Sequence, residues 1–136
     1  MHGACPTLVM FKILGGRRRF QKSASRGKNF PASGPFGPYL VTADEVGDLK
    51  GKNIRTRLNG KEMQHATFDQ FIFPVPRLME YISRFTALSP GDVIITGTPG
   101  GVGFRRDPPV WMKAGDTVEI EIDGVGLLKN PLVAET

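Results

Sequence analysis

Hydrophobic and polar positions alternate most cleanly at two places along the chain. Ile54, Thr56 and Leu58 alternate with Arg55 and Arg57, and Val118, Ile120 and Ile122 alternate with Glu119 and Glu121. A period of two puts one set on each face of a pleated strand, so both runs predict half-buried β-strands. A turn signal follows each. Asn59-Gly60 suits a type I′ turn, whose two central residues need positive φ, and predicts a hairpin returning over residues 61–66. Asp123-Gly124 predicts a second hairpin that returns over residues 125–133.

Between them the period changes. Over residues 74–86, Val75, Leu78, Ile82 and Phe85 recur every three or four positions with Met79 beside them, which predicts the single helix. Pro74 and Pro76 fall in its first turn, where a missing N–H costs nothing. Residues 39–43 read as a short strand. The unbroken β-branched run Val93-Ile94-Ile95-Thr96 reads as a buried one. Ser89-Pro-Gly-Asp92 and Lys113-Ala-Gly-Asp116 are matching turns. The pattern adds up to about six strands, mostly joined by hairpins, and one helix: a mainly β domain.

Composition narrows the function classes. A length of 136 residues suits one domain. With 17 Gly and 11 Pro the chain is no helical bundle. A lone cysteine, Cys5, excludes an internal disulfide and a Cys-based zinc site, and two histidines exclude a His-rich metal site. No apolar run approaches the ~18 residues that cross a bilayer. The net charge of +5 is uneven, because residues 1–43 hold seven basic side chains and no acid. That segment reads as a solvated basic arm, as a phosphate-binding arm built on Arg17, Arg18 and Arg19, or as an Arg-rich, acid-free presequence. No aromatic ladder accompanies the charges, which argues against a nucleic-acid partner. Residues 1–25, with their positive self-repulsion and Gly15-Gly16, are expected to form a disordered basic leader.

The most unusual local feature is Thr96-Gly-Thr-Pro-Gly-Gly-Val-Gly103. Its glycines let backbone approach a ligand closely and aim N–H groups at an anion, or else make a tight structural turn. It is neither a P-loop nor a dinucleotide fingerprint, since no Gly-Lys-Ser/Thr ends it and no helical pattern follows. In Arg26-Gly-Lys-Asn-Phe30, Lys28 can meet a carboxylate as a point charge or stay solvated. Glu119 and Glu121 share one strand face, where they could hold a cation or simply face water. His65 lies in a hairpin strand without a Gly-x-Ser-x-Gly nucleophile, and Cys5 has no histidine to activate it.

Several segments together resemble the fumarylacetoacetate hydrolase family: Arg26-Gly-Lys-Asn-Phe30, Gly34-Pro-Phe-Gly-Pro-Tyr-Leu-Val-Thr-Ala-Asp44, Asn59-Gly60, Phe71-Ile-Phe73, Tyr81-Ile-Ser-Arg-Phe85, the long stretch from Pro90-Gly-Asp92 through Gly103, and Lys113-Ala-Gly-Asp116. Their order and spacing match the C-terminal half of that family's catalytic domain. The resemblance implies a mixed β-sandwich roll, here partial, usually dimeric, that hydrolyses, decarboxylates or isomerises β-diketo acids and related oxo-carboxylates. It implies Mg²⁺, or Mn²⁺ or Ca²⁺ in its place, as the Lewis acid that stabilises an enolate.

Carried onto this sequence, Lys28 matches the family lysine that faces substrate and metal. Gln21 stands where the family's Ala-Arg-Asp-x-Gln ends, and these two are the catalytic candidates. Thr98 matches the second threonine of Thr-Gly-Thr-Pro, which binds a substrate carboxylate, with Gly97 and Gly100 beside it. No residue matches a metal ligand. The family's Glu-x-Glu pair and Asp stand upstream of Arg-Gly-Lys, and residues 1–43 have no acid. Residues 26–136 are therefore expected to be a catalytic-domain C-terminal part lacking the metal-ligand half, unable to hold Mg²⁺ alone. The implied function is a truncated metal-dependent hydrolase, isomerase or decarboxylase of oxo-acids, with an inactive fragment or accessory binding subunit as the alternative. The expected setting is cytoplasmic or mitochondrial, with a small oxo-acid as ligand, homodimerisation and no membrane.

Overall fold

The computed structural model describes residues 34–134. Its frame is a four-stranded, wholly antiparallel sheet. β1 (Asn53–Leu58) pairs with β2 (Lys61–Thr67) through the Asn59-Gly60 turn, where φ is 51° and 80°. β3 (Thr117–Ile122) pairs with β4 (Gly126–Pro131) through a loop holding Asp123, Gly124 and Val125. The two hairpins join through β1 and β3, giving the order β2-β1-β3-β4. Both hairpins fall where the alternation and turn dipeptides put them, and the chain is mainly β.

Alternation decides the faces. Ile54 lies opposite Ile122, Thr56 opposite Ile120 and Leu58 opposite Val118, so one face collects the apolar side chains of β1 and β3. Ile54, Val118, Ile120 and Ile122 are buried there with Phe68, and Leu49, Leu58, Phe71, Met112 and Leu128 pack around them. Phe68 and Phe71 meet edge to face, their ring centroids 5.6 Å apart. The opposite face is a ladder of charge: Glu119 lies across from Lys129, and Arg57 reaches Glu121 at 2.7 Å.

Two asparagines pin β1 to the second hairpin. At its start, the Asn53 backbone N–H and side-chain amide both donate to Asp123 Oδ2, at 2.8 and 2.7 Å. At its far end, Asn59 donates to Asp116 Oδ1 at 2.9 Å and accepts from the Thr117 N–H at 2.8 Å. Asp116, buried at 6% exposure, also accepts from the Lys113 N–H at 2.8 Å. The same closure recurs at the earlier turn, where the Ser89 N–H donates to Asp92 Oδ2 at 2.7 Å.

Three expectations need correction. Residues 39–42 form no strand, and α1 (Ala43–Val46) takes the place of its end. Thr42-Ala-Asp-Glu is a helix start, with Asp44 and Glu45 in the first turn, where the helix dipole favours negative charge. The predicted strand at residues 93–96 is reduced to a single bridging residue, Ile94, and Val93 and Ile95 are exposed. β-branched propensity does not make a strand without a neighbouring ladder, and no described strand offers it one. The described residues thus hold four strands, not about six. The main helix, α2 (Val75–Ser83), is also shorter than residues 74–86 and buries none of its side chains. Leu78, Met79 and Ile82 are half-buried, while Phe85 stays exposed against Tyr81. The expected leader, residues 1–25, lies outside the described residues.

Hydrogen bonds from Asn59 and then from the Lys113 N–H hold the Asp116 carboxyl below its ordinary pKa, and those from Asn53 do the same for Asp123. A depressed folded-state pKa gives stability that is full above the unfolded value near 3.8 and is lost as pH falls through the folded value. Acid unfolding should therefore start below pH ~4. Asp116→Asn should lower the thermal midpoint at pH 7 and flatten its decline between pH 4 and 2, read by circular dichroism. An unchanged acid limb would show that this carboxylate does not link the hairpins.

Candidate functional site

The long excursion between α2 and β3 carries the glycine-rich segment along the outer edge of β2, and an irregularity in the sheet holds it there. The β1–β2 register slips between Thr56, opposite Gln64, and Arg57, opposite Glu62, leaving Met63 as an extra residue. The Arg106 guanidinium donates to the carbonyl of Met63 and, through Nε at 3.1 Å, to the carbonyl of Gly101. Gln64 lies next to the bulge. Its amide donates to the Pro99 carbonyl at 2.7 Å and to Thr98 Oγ1 at 3.0 Å, with the Gly100 carbonyl at 3.4 Å. Gln64 and Arg106 thus tie four successive loop residues to one strand edge.

Close backbone contact requires two of the glycines. A Cβ on Gly101, whose φ is +95°, would lie 2.5 Å from the Met63 carbonyl oxygen. A Cβ on Gly103 would collide with the Val110 carbonyl oxygen, and the Val110 N–H donates back to the Gly103 carbonyl at 2.9 Å. Gly97 and Gly100 border open space, and Thr98 between them is exposed. Gly101 and Gly103 are thus packed against backbone, whereas the stretch Gly97 to Gly100, held to β2 through Gln64, leaves Thr98 exposed on its other side. An anion could be received on that exposed side, since a hydroxyl donates and a glycine-rich backbone can turn its N–H groups toward an anion.

The other candidates dissolve on inspection. Glu119 is bound to Lys129 at 2.9 Å, which holds its carboxyl below the usual range, and Glu121 is bound to Arg57, whose guanidinium is pushed up in turn. They are the solvent side of an amphipathic strand. His65 Nε2 meets Asn53 Oδ1 at 3.0 Å and continues the pin to Asp123, so it serves the hairpins. Among the described residues no three His, Cys, Asp or Glu side chains could hold a metal ion. The loop offers only neutral oxygens, so its donor set does not fit the divalent cation that the resemblance implies. A groove of about 730 Å³ opens beside the core, between Phe36, Tyr39, Phe68, Ile122 and Leu128. Its walls are mainly apolar, and the charged residues on them, Asp48, Lys50 and Asp69, include two carboxylates that accept from the Lys50 and Gly51 N–H groups. Lys28 and Gln21, the expected catalytic pair, lie outside the described residues. Gln64 and Arg106 went unnoticed in the sequence. Both are ordinary polar residues there, and only the bulge brings them onto the loop.

Thr96 Oγ1 is buried and has no hydrogen-bond partner among the described residues. Because an orphaned hydroxyl costs about 1–3 kcal/mol, the isosteric Thr96→Val should raise the thermal midpoint or leave it unchanged. A clear loss of stability would reveal a partner for the hydroxyl. Gly101→Ala, at positive φ and against Met63, should cost about 2 kcal/mol, whereas Gly100→Ala should be near neutral. Urea unfolding of the two variants checks the contrast, and equal costs would mean that the loop is not docked.

Comparison with known proteins agrees with this geometry. The family described as fumarylacetoacetate (FAA) hydrolase C-terminal matches residues 15–133. The mitochondrial oxaloacetate tautomerase fahd2 of Xenopus laevis is 47% identical over 107 residues, which are 79% of this chain and 34% of that protein. A fumarylacetoacetate hydrolase structure from the psychrophile Exiguobacterium antarcticum superposes with a TM-score of 0.77 at 38% identity, over 81% of this chain and 39% of the other. A maleylpyruvate hydrolase from Sphingobium sp. SYK-6, in complex with manganese(II) and pyruvate, gives a TM-score of 0.65 at 34% identity, over 74% of this chain and 35% of the other. The chain spans about a third of the length of the curated relatives it matches. No helix of the described residues is long and apolar enough to cross a membrane. With most of its length matched in sequence and its sheet matched in space, the chain belongs to the fumarylacetoacetate hydrolase family.

Proposed function

We propose that this chain supplies the carboxylate-binding part of a catalytic site for small oxo-acids. The observation that carries the reading is the exposed Thr98, set between Gly97 and Gly100, which border open space, on a loop that Gln64 and Arg106 hold to the edge of β2. A loop held along one side and open on the other is preorganised for a small anion, and a hydroxyl with neighbouring N–H groups stabilises carboxylate charge without a resident cation. Relatives named for oxaloacetate tautomerisation, and one held with pyruvate, support a 2-oxo acid as the ligand. Holding the carboxylate would orient the adjacent oxo group and its α-carbon for tautomerisation or C–C cleavage. Lys28 and Gln21 are proposed to face the same substrate as its catalytic groups. A mitochondrial setting follows the relatives' names.

The described residues provide no donor set for Mg²⁺ or Mn²⁺, so the reading assigns this part of the chain substrate binding and not metal binding. The rival reading, an accessory subunit without activity of its own, draws on the same observation and on the lack of any acid in residues 1–43. Pyruvate titrated into the 136-residue chain, followed by amide shifts, should perturb residues 97–100, and Thr98→Val should weaken binding about tenfold. Mg²⁺ titrated calorimetrically should give no tight stoichiometric site. Pyruvate shifts confined to other residues would overturn the carboxylate-binding role, and a tight Mg²⁺ site would overturn the division of labour.

Self-association belongs to the same proposal. Ile72, Phe73, Tyr81, Phe85 and Trp111 are all more than half exposed, an unusual load of apolar surface for a monomer. Sedimentation equilibrium at micromolar concentration should return a dimer or larger species, and a monomer with a cooperative thermal transition would contradict it.

A further inference from the structure

The amide of Gln64 does more than tether the loop. The Pro99 and Gly100 carbonyls can only accept hydrogen bonds, so the NH₂ end of Gln64, and not its oxygen, must face them. That nitrogen has two hydrogens. The two shorter contacts are to the Pro99 carbonyl at 2.7 Å and Thr98 Oγ1 at 3.0 Å, with the Gly100 carbonyl a longer third at 3.4 Å. Thr98 Oγ1 is therefore an acceptor toward Gln64, which leaves its own proton for another partner. We infer that Gln64 is a positioning residue that fixes the Thr98 hydroxyl as an outward donor, so that the loop favours the charged acceptor of a carboxylate over the weaker carbonyl acceptor of its amide.

This rests on the reading of Thr98 given above and adds to it a source of polarity. A free hydroxyl can turn to donate or accept, whereas one already accepting from Gln64 is biased to donate. The bias costs nothing at the moment of binding because the Gln64 contact is made before the ligand arrives. Gln64→Glu is the sharpest test. It keeps the shape of the side chain but puts an acceptor against Thr98, which draws the hydroxyl proton inward. Gln64→Met removes the contact without reversing it.

Pyruvate affinity is measured on the full chain by amide-shift titration, with pyruvamide as the comparison probe and thermal midpoints to confirm folding. Pyruvate should bind more tightly than pyruvamide to the wild type, with Gln64→Met intermediate and Gln64→Glu weakest, about tenfold below wild type. In a Thr98→Val background the Gln64→Glu change should cost only about twofold, the share due to charge repulsion and to the lost bonds to the Pro99 and Gly100 carbonyls. Equal losses in the two backgrounds would mean that Gln64 merely props the loop, and would overturn the inference while leaving Thr98 as the carboxylate ligand. An unchanged affinity in Thr98→Val, or no pyruvate binding by the wild type, would overturn the reading of Thr98 and this inference with it.

Discussion

The pairing of β1 with β3 is the constraint on which the described structure depends. It joins residues that lie more than fifty positions apart, and among the described residues it is the only strand pairing that connects the two hairpins. Ile54, Thr56 and Leu58 face the apolar side chains of β3 in one register, and a slip by one residue would place Arg55 and Arg57 in the core. The two asparagines at the ends of β1 reinforce that register by bonding to acids just outside β3, Asp123 at one end and Asp116 at the other. Hydrophobic alternation gives the driving force, and the Asn–Asp pairs give the alignment.

Because this pairing closes a long loop, α2 and the glycine-rich segment both belong to an excursion that must return to the sheet at Thr117. The return runs past the edge of β2, where the extra residue Met63 frees a carbonyl for Arg106. An edge strand normally presents unpaired backbone groups as a liability. Here part of that edge is used to dock a loop, and the docking leaves Thr98 presented on the free side. The candidate site is thus a by-product of how the sheet edge is covered.

The charged groups divide by task. On the outer face of the sheet Glu119, Glu121, Arg57 and Lys129 neutralise one another in cross-strand pairs, which leaves no carboxylate cluster for a cation among the described residues. The loop on the β2 edge is free of carboxylates and suits an anion.

The sequence alone determined the two hairpins, since strict alternation followed by Asn-Gly or Asp-Gly leaves one local solution for Ile54 to Leu58 and for Val118 to Ile122. It also singled out Thr98, because its Thr-Gly-Thr-Pro setting resembles a family motif, and it read Glu119 and Glu121 as either a cation site or a solvated face. What it could not resolve depended on partners distant in the chain. Val93 to Thr96 has the composition of a strand but no described strand to pair with, and Thr42 to Val46 begins a helical turn because acids in its first turn favour one. Gln64 and Arg106 carry no local signal at all. Their roles exist only because a one-residue bulge in β2 meets a loop more than thirty positions further on. Local periodicity specifies which face a side chain takes, and tertiary closure alone decides what that face will touch.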